Sequence, residues 1–568
     1  MAVVLGVGGA FHHDPSAALL IDGKLIAAVD EERFIRKKHA IREKPVHSIR
    51  FCLEKAGIRP EQVEHVAFPW SPESFARHRW KYIRRIAFTQ HARAFKALVR
   101  PGREFEKRKK ILYQTLDAVG ISPQKVKIHW VDHHLSHGAS AFLLSGFPKA
   151  AVLSIDGGGE LTSCFFGEGE GNQIKTVHEI ILPDSLGLFY STFTEFCGFR
   201  SNNGEFKLMG MSAYGDASKF DISPFIQWDR KGFRCNEKYI WVFGRRRYKD
   251  KVFSKELVEL LGPPRQGDGL SEPYIHIAAA VQKVLEDITI GLVEEYLGDA
   301  LDRLDNRLCF AGGCALNVVL NKKLIQHPKI KELWVQPGAN DSGAPLGAAV
   351  WIASQLGDTI QPMQHAYYGP SFTNDEIQKS LDQFKIPYQK LENPAQTGAK
   401  LLSEGKILAW FQGAMEFGPR ALGNRSILAH PAIPGISDEI NGRIKFREKW
   451  RPFCPSILDS HSSEILGSDH PSPFMTFSFD VNEEWKKKIP EVVHVNGTAR
   501  PQIVSKELNP LYYQLLKEFY SLTDLPCVIN TSLNRRGEPI ICTPEDSIAM
   551  FYGSGLEYMI MGDFLIKK

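Results

Sequence analysis

An α/β protein of two domains is what this sequence predicts, and three observations carry the prediction. At 568 residues the chain exceeds what a single hydrophobic core serves. Two stretches in its first third follow one plan: apolar strand, Gly-rich turn, strand, tight hairpin, strand. Beyond residue 372 a second set of alternating strands and helices begins, with arginine-rich motifs of its own.

The first copy of the unit is "VVLGVGGAFHHDPSAALLIDGKLIAAVDEERF" (3–34), and the second is "AAVLSIDGGGELTSCFFGEGEGNQIKTVHEI" (150–180). A duplicated unit of this type is the plan of the actin-like ATPase and sugar-kinase superfold. There, two β-rich halves face each other across a cleft, and tight turns hold phosphates through backbone N–H groups. Gly157, Gly158 and Gly159 permit the close backbone approach that a phosphate requires. A sustained helical period runs over 275–301, followed by a short strand at 307–313 and a new helix opening near Ala315. Strand, Gly-Gly turn and helix N-terminus together form an anion-attracting arrangement. The stretch "LWVQPGANDSGAPLGAAVWIA" (333–353) repeats the device, with Asp341 just before a small-residue helix. Residues 354–372 lack periodicity and carry Gly and Pro, which marks a linker. The expected domains are therefore 1–358 and 366–568.

Composition excludes several classes. The chain is 43% hydrophobic and 24% charged, and no apolar run approaches the roughly 18 residues of a membrane helix. The N-terminal stretch lacks a basic region and reads as a buried strand rather than a signal peptide, so no membrane partner is expected. Nine scattered cysteines form no C-x-x-C pair, which argues against a disulfide framework or a thiolate zinc site and favours a reducing cytoplasm. The net charge of +5 conceals an asymmetry. Between Arg77 and Lys110, thirteen Lys and Arg face only Glu104 and Glu106, a local charge of +11 with Trp80, Tyr82, Phe88, Phe95 and Phe105 interleaved. Such a segment reads either as a solvated helical insertion or as a seat for a phosphorylated or nucleic-acid acceptor.

Four of the 19 histidines fall within 129–137, in "HWVDHHLSHGASAF". On a helix His133 and His137 sit at i and i+4, where both imidazoles reach one ion. Zinc metalloproteases share the spacing, but their glutamate is replaced here by His134, which argues against a peptidase. The spacing alone leaves a metal site, a pH-sensitive patch and a chance polar run open. Asp156 closes an apolar strand directly before three glycines, where burial without a partner is costly, and Asp341 holds the equivalent loop later in the chain. Two imidazoles with two carboxylates suit Fe(II), Mn(II) or Zn(II) better than Mg²⁺ alone.

The motifs "FHHDPSAALLIDG" (11–23), "EERFIRKKH" (31–39), "HHLSHGASA" (133–141), "SIDGGGE" (154–160), "KLMGMSAYG" (207–215), "AGGCALN" (311–317) and "NDSGAPLGAA" (340–349) occur in that order. They are followed by "WFQGAMEFGPRALGNRSILA" (410–429), "IKFREKWRPFCPSIL" (444–458), "VNGTARPQIV" (495–504) and "NTSLNRRGEPI" (530–540). Together they resemble the O-carbamoyltransferases of antibiotic and nodulation-factor biosynthesis over nearly the whole chain. The resemblance implies an actin-like first domain akin to the tRNA threonylcarbamoyl transferases, bearing an iron site. It also implies a second α/β domain resembling the threonylcarbamoyl-AMP synthases. His12 is extra beside the motif histidine, and the basic segment at 77–110 has no counterpart placed in the antibiotic enzymes.

Carried over residue by residue, the metal ligands are His133, His137, Asp156 and Asp341, with Fe(II) the expected ion and His134 a neighbour. Carbamoyl phosphate and ATP, the latter with Mg²⁺, are the expected co-substrates, condensed to carbamoyl-AMP in the second domain. Of the cations there (Arg420, Arg425, Lys445, Arg447, Arg451, Arg500, Arg535, Arg536), the expected contacts are Arg420, Lys445, Arg451, Arg500 and Arg536. Gly157, Gly158, Gly312, Gly313 and Asn317 are expected to seat the nucleotide in the first domain. His13, with a pKa near operating pH, is the candidate base for the acceptor hydroxyl, and Lys38 and Lys207 are candidates to orient carbamoyl or phosphoryl oxygens. The expected acceptor is a hydroxyl of a small metabolite, with a nucleic acid or phosphorylated compound as the alternative. A homodimer is compatible with these expectations.

Overall fold

The computed structural model describes residues 2–9, 13–100, 102–242 and 247–568. The chain forms two compact units, one of Met1–Ile26 with Arg42–Met363 and one of Ala27–Ile41 with Gln364–Lys568.

Duplication is visible strand by strand in the first unit. Its first half holds β1 (Val3–Gly8), β2 (Ser16–Ile21), β3 (Lys24–Asp30), β4 (His65–Phe68) and β5 (Lys127–Trp130). The second half holds β6 (Lys149–Ile155), β7 (Thr162–Glu170), β8 (Gln173–Ile181), the small ribbon β9 (Ile226–Asp229) and β10 (Gly232–Cys235), then β11 (Arg307–Ala311) and β12 (Glu332–Val335). The two five-stranded sheets have the orders β3-β2-β1-β4-β5 and β8-β7-β6-β11-β12, the same path drawn twice. In each, the first strand pairs antiparallel with the second and parallel with the fourth, and the fourth pairs parallel with the fifth. This is the actin-like ATPase fold. Every residue of β1 is buried, as befits an inner strand covered on both faces. An Asp22-Gly23 turn, both residues at positive φ, closes the β2–β3 hairpin as its sequence demands.

The helices that follow β5 and β12, His133–Ser145 and Ala344–Gln355, pack against each other. Their backbones nearly touch: a Cβ on Gly347 would lie 1.7 Å from the Ser136 carbonyl oxygen. The small residues of "HHLSHGASA" and "SGAPLGAA" are thus what permits the contact. Because each helix begins at a loop bearing a candidate ligand, this packing sets the spacing of the metal cluster. Three helices, Pro72–Ile86, His91–Val99 and Arg103–Ala118, connect β4 to β5 and carry the basic segment. The expected helix at 275–301 is Tyr274–Arg303.

In the second unit β13 (Gln389–Lys390), β14 (Leu408–Phe411), β15 (Arg425–Ala429), β16 (Cys454–Leu458), β19 (Gln502–Val504), β20 (Cys527–Ser532), β21 (Tyr558–Met561) and β22 (Phe564–Lys567) form one mixed sheet. The order is β13-β22-β21-β14-β15-β20-β16-β19, and β17 (Phe479–Asp480) and β18 (Thr498–Ala499) pair separately. Side chains alternate between two cores. Leu408 and Trp410 enter one with Tyr512 and Leu515; Ala409 and Phe411 enter the other with Ile548 and Phe551.

The division differs from the expected boundary at 358/366 in one respect. Residues 27–41, which include all of "EERFIRKKH", belong to the second unit. Phe34 packs against Met415, Ile540 and Cys542, Arg33 donates to the Gly418 carbonyl at 2.8 Å, and Arg36 donates to the Ile540 carbonyl at 2.7 Å.

Candidate functional site

Three connections of the first unit converge. β6 ends at Asp156, β5 leads into the helix bearing His133 and His137, and β12 leads to Asp341. The His133 and His137 Nε2 atoms are 3.1 Å apart. Asp156 Oδ2 lies 3.5 Å from His133 Nε2 and 3.9 Å from His137 Nε2, and Asp341 Oδ1 lies 3.6 and 3.7 Å from the same atoms. Ligands set about 2.1 Å from one ion are separated by about 3.0–3.4 Å along the edges of an octahedron or tetrahedron. The cluster therefore fits a divalent cation, and its mixed imidazole and carboxylate set fits a borderline one.

The surroundings hold these ligands in place. Asp156 Oδ1 accepts the Gly313 N–H at 3.0 Å, freeing Oδ2 for the imidazoles. Burial opposes charge on Asp156, yet the His133 hydrogen bond and the nearby imidazoles hold it well below the usual carboxylate range. Burial likewise opposes a proton on His133, but Asp156 and Asp341 outweigh it and raise the imidazole to about 9. His134 is no ligand: its Nδ1 meets Ser154 Oγ at 2.9 Å and its Nε2 meets the Thr162 carbonyl at 3.0 Å, and burial drives it down to about 3. Glu160 supports the cluster, although the sequence motif that ends with it gave it no role. It accepts the backbone N–H of His133 at 3.2 Å and of Ser71 at 2.5 Å. Burial lifts its carboxyl to about 7.

His13 sits beside the cluster, its Nε2 3.9 Å from Asp341 and its Nδ1 3.1 Å from Asp14, which also accepts from Asn340. Burial disfavours a charge there, but the Asp14 hydrogen bond and the charges of Asp341 and Asp156 prevail and raise His13 to about 10. Without an ion at the four ligands, these carboxylates hold the ring above the near-neutral range expected of a base. His12 lies outside the described residues.

Gly312 has φ +90, and a Cβ there would lie 2.3 Å from the Ile155 carbonyl, so close strand packing alone requires glycine. Gly158 has φ +153, and Gly157 opens directly after Asp156. Asn317 is engaged at both ends of its amide. Its oxygen caps helix Val318–Ile325 and accepts from Gln282, and its nitrogen donates to Gln282 at 2.8 Å. That same Gln282 lines a cavity of about 580 Å³ with Lys283, Glu286, Val319 and Lys323. Lys207 stands on helix Glu205–Ser212, its ammonium 5.5 Å from the Phe199 ring centre.

A second cluster of charge occupies the second unit. Lys445 is buried, and its ammonium donates to Asn534 Oδ1 at 2.7 Å and to the carbonyls of Ser532 and Asn534 at 2.6 and 3.0 Å. Burial, together with the charges of Arg447, Arg451 and Lys38, holds it well below the usual lysine range. Arg420 is lowered to about 9 by burial and by Arg500 and Arg451, and burial with Arg451 depresses Arg447. Arg451 itself is lowered by burial, against the pull of Glu448. Arg536 meets the same Glu448 at 3.3 Å, and Arg500 Nη2 donates to Cys454 Sγ at 2.9 Å. Like charges that suppress one another in a buried site mark a candidate receptor for a polyanion.

Two cations left out of the expected contacts have partners within the fold. Arg425 lies over the Phe411 ring at 3.7 Å and donates to the carbonyls of Gln412 and Pro370, and Arg535 pairs with Glu538, so both serve the fold. Arg447, left out of the expected contacts, belongs to the cluster. Lys38 was grouped with His13 but lies in the second unit, 3.3 Å from Glu32 and within electrostatic range of Lys445.

Two family models match this chain: one described as carbamoyltransferase N-terminus over residues 3–350, the other as carbamoyltransferase C-terminus over 399–568. The protein is a transferase enzyme and belongs to the carbamoyltransferase family. An uncharacterised protein of Synechocystis is 38% identical over 612 residues, covering 100% of this chain and 97% of its own. The nodulation protein NolNO of Sinorhizobium fredii is 33% identical over 574 residues, covering 99% of this chain and 80% of its own. Among solved structures, full-length HypF in its phosphate- and nucleotide-bound form aligns over 63% of this chain and 56% of its own. Its TM-score is 0.30 at 14% identity, too low to bear on function.

Proposed function

We propose that the protein is an ATP-dependent O-carbamoyltransferase that makes carbamoyl-AMP and passes the carbamoyl group to a hydroxyl of a small metabolite. The observation that carries this reading is the buried cation cluster of the second unit, because both donors it would join are polyanions. Forming carbamoyl-AMP while releasing phosphate and pyrophosphate consumes one water. Water cleaves carbamoyl phosphate to carbamate and phosphate, and a carbamate oxygen then attacks the α-phosphorus of Mg²⁺-bound ATP as pyrophosphate leaves. Arg420, Arg447, Arg451 and Arg500 would hold the phosphoryl and carboxylate oxygens, and Lys445, fixed by Asn534 and Ser532, would bring a single ammonium to them.

The adenylate would be used in the first unit. Gly157 and Gly158 would approach its phosphate through backbone N–H groups, and the cavity beside Gln282 would take the nucleoside. The four ligands suit Fe(II), Mn(II) or Zn(II), and the family resemblance favours Fe(II). When bound, it would stabilise negative charge developing on the carbamoyl and phosphoryl oxygens and offset the carboxylates that raise His13. His13 Nε2 would then take the acceptor's hydroxyl proton as the new C–O bond forms and AMP departs, with Asp14 fixing the ring through Nδ1. The test is to incubate the enzyme with ATP and carbon-labelled carbamoyl phosphate and separate the products by chromatography. A labelled adenylate that requires both substrates is expected; label found only as carbamate and its breakdown products would refute the reading.

A further inference from the structure

The helical segment between β4 and β5 takes no part in the chemistry above, yet its surface asks for a partner. It is tied firmly to its unit. Tyr82, Ile86, Ala94 and Ala97 pack with Leu161 and Ile181. Arg85 bonds Asp184 at 3.0 Å and Glu237 at 2.7 Å, and Thr89 and Gln90 both donate to Glu237 at 2.7 Å. Helix His91–Val99 then faces opposite to a water-soluble helix. It buries Ala94 and Ala97 while Phe95, Leu98 and Val99 stand outward at 64%, 47% and 53% exposure. Phe88, in the turn before it, is 89% exposed. A helix shaped only by its own core would bury its larger apolar side chains. Arg84, Lys96, Arg100 and Arg103 are exposed around this patch and have no carboxylate partner among the described residues.

We infer that this face docks on an anionic lipid bilayer, with Phe88, Phe95, Leu98 and Val99 entering the headgroup region and the surrounding cations meeting lipid phosphates. Large apolar side chains and Lys or Arg on one exposed surface are the composition of interfacial helices. The exposed Arg84, Lys96, Arg100 and Arg103 select an anionic occupant and oppose a second copy of this chain, which would bring the same charges against themselves. Nucleic acid is disfavoured because bases could stack on Phe88 and Phe95 but would leave the exposed aliphatic Leu98 and Val99 without a role, whereas a bilayer takes all four. Among the described residues no helix is long and apolar enough to cross a membrane, so the contact is peripheral. The expectation of no membrane partner rested on the missing spanning and signal segments, and this surface revises it.

The test is sedimentation of the full chain with phosphatidylcholine vesicles, with and without phosphatidylglycerol. Binding only to the anionic vesicles is expected, weakening with added salt and falling about tenfold in a Phe88→Ser/Phe95→Ser/Leu98→Ser variant. An Arg84→Glu/Arg100→Glu variant should fall similarly. Both variants should keep wild-type circular dichroism and carbamoyl-phosphate-dependent pyrophosphate release, which separates this inference from the proposed reaction. No binding to anionic vesicles, binding that neither variant weakens, tighter binding to single-stranded RNA, or a dimer that the serine variant dissociates would each overturn it.

Discussion

His137 shows how one side chain is committed to a task. Fully buried, it brings Nε2 to 3.1 Å from the same atom of His133, a contact that a shared cation turns from a liability into a bond. His137→Ala should fold but lose nearly all bound metal, measured by elemental analysis after dialysis against Fe(II) or Mn(II) under anaerobic conditions. His134→Ala, which removes a side chain bonded only to Ser154 and Thr162, should lower stability more than metal content. Lys445 gives the second residue-scale prediction. Burial and its cationic neighbours depress its pKa, so it loses its proton earlier than an ordinary lysine as pH rises. A bound polyanion favours the charged form. Pyrophosphate affinity, measured by calorimetry, should therefore decline as pH rises through the depressed pKa, with proton uptake on binding. An affinity that does not change on the alkaline side would contradict this.

At the scale of elements, the paired helices after β5 and β12 place the metal ligands, and glycine permits their approach. Gly347→Ala would drive a methyl into the Ser136 carbonyl, costing about 1–3 kcal/mol and lowering Tm by several degrees while loosening metal binding. Gly298→Ala is the control. It lies within helix Tyr274–Arg303 with nothing within 4 Å of an added Cβ, and should stabilise by up to about 1 kcal/mol. Elements of this kind were legible in the sequence because their signals are local: apolar runs, Gly-rich turns and a helical period. The spacing of His133 and His137 was legible for the same reason. Roles that depend on distant partners were not. Arg425 and Arg447 both sit in motif arginine runs, and only the Phe411 ring and the Gln412 carbonyl assign the first to structure. The electrostatic setting of His13 was not legible, because the carboxylates that raise its pKa lie at positions 14, 156 and 341.

Across the whole molecule there are two buried clusters of opposite character, carboxylates and imidazoles in one unit and cations in the other, and the proposed function divides the work between them. The transfer of residues 27–41 to the second unit could not be read from the chain, since Phe34, Arg33 and Arg36 find their partners some 380 to 510 positions later. That transfer brings Lys38 within electrostatic range of Lys445, so under the proposed function the motif "EERFIRKKH" would serve activation rather than the metal centre. The measurement that tests this division most directly is pyrophosphate release from ATP, followed in wild type, Arg451→Ala and His137→Ala. Release should require carbamoyl phosphate, vanish in Arg451→Ala and persist in the metal-free His137→Ala. Release without carbamoyl phosphate, or survival in Arg451→Ala with loss in His137→Ala, would contradict the account.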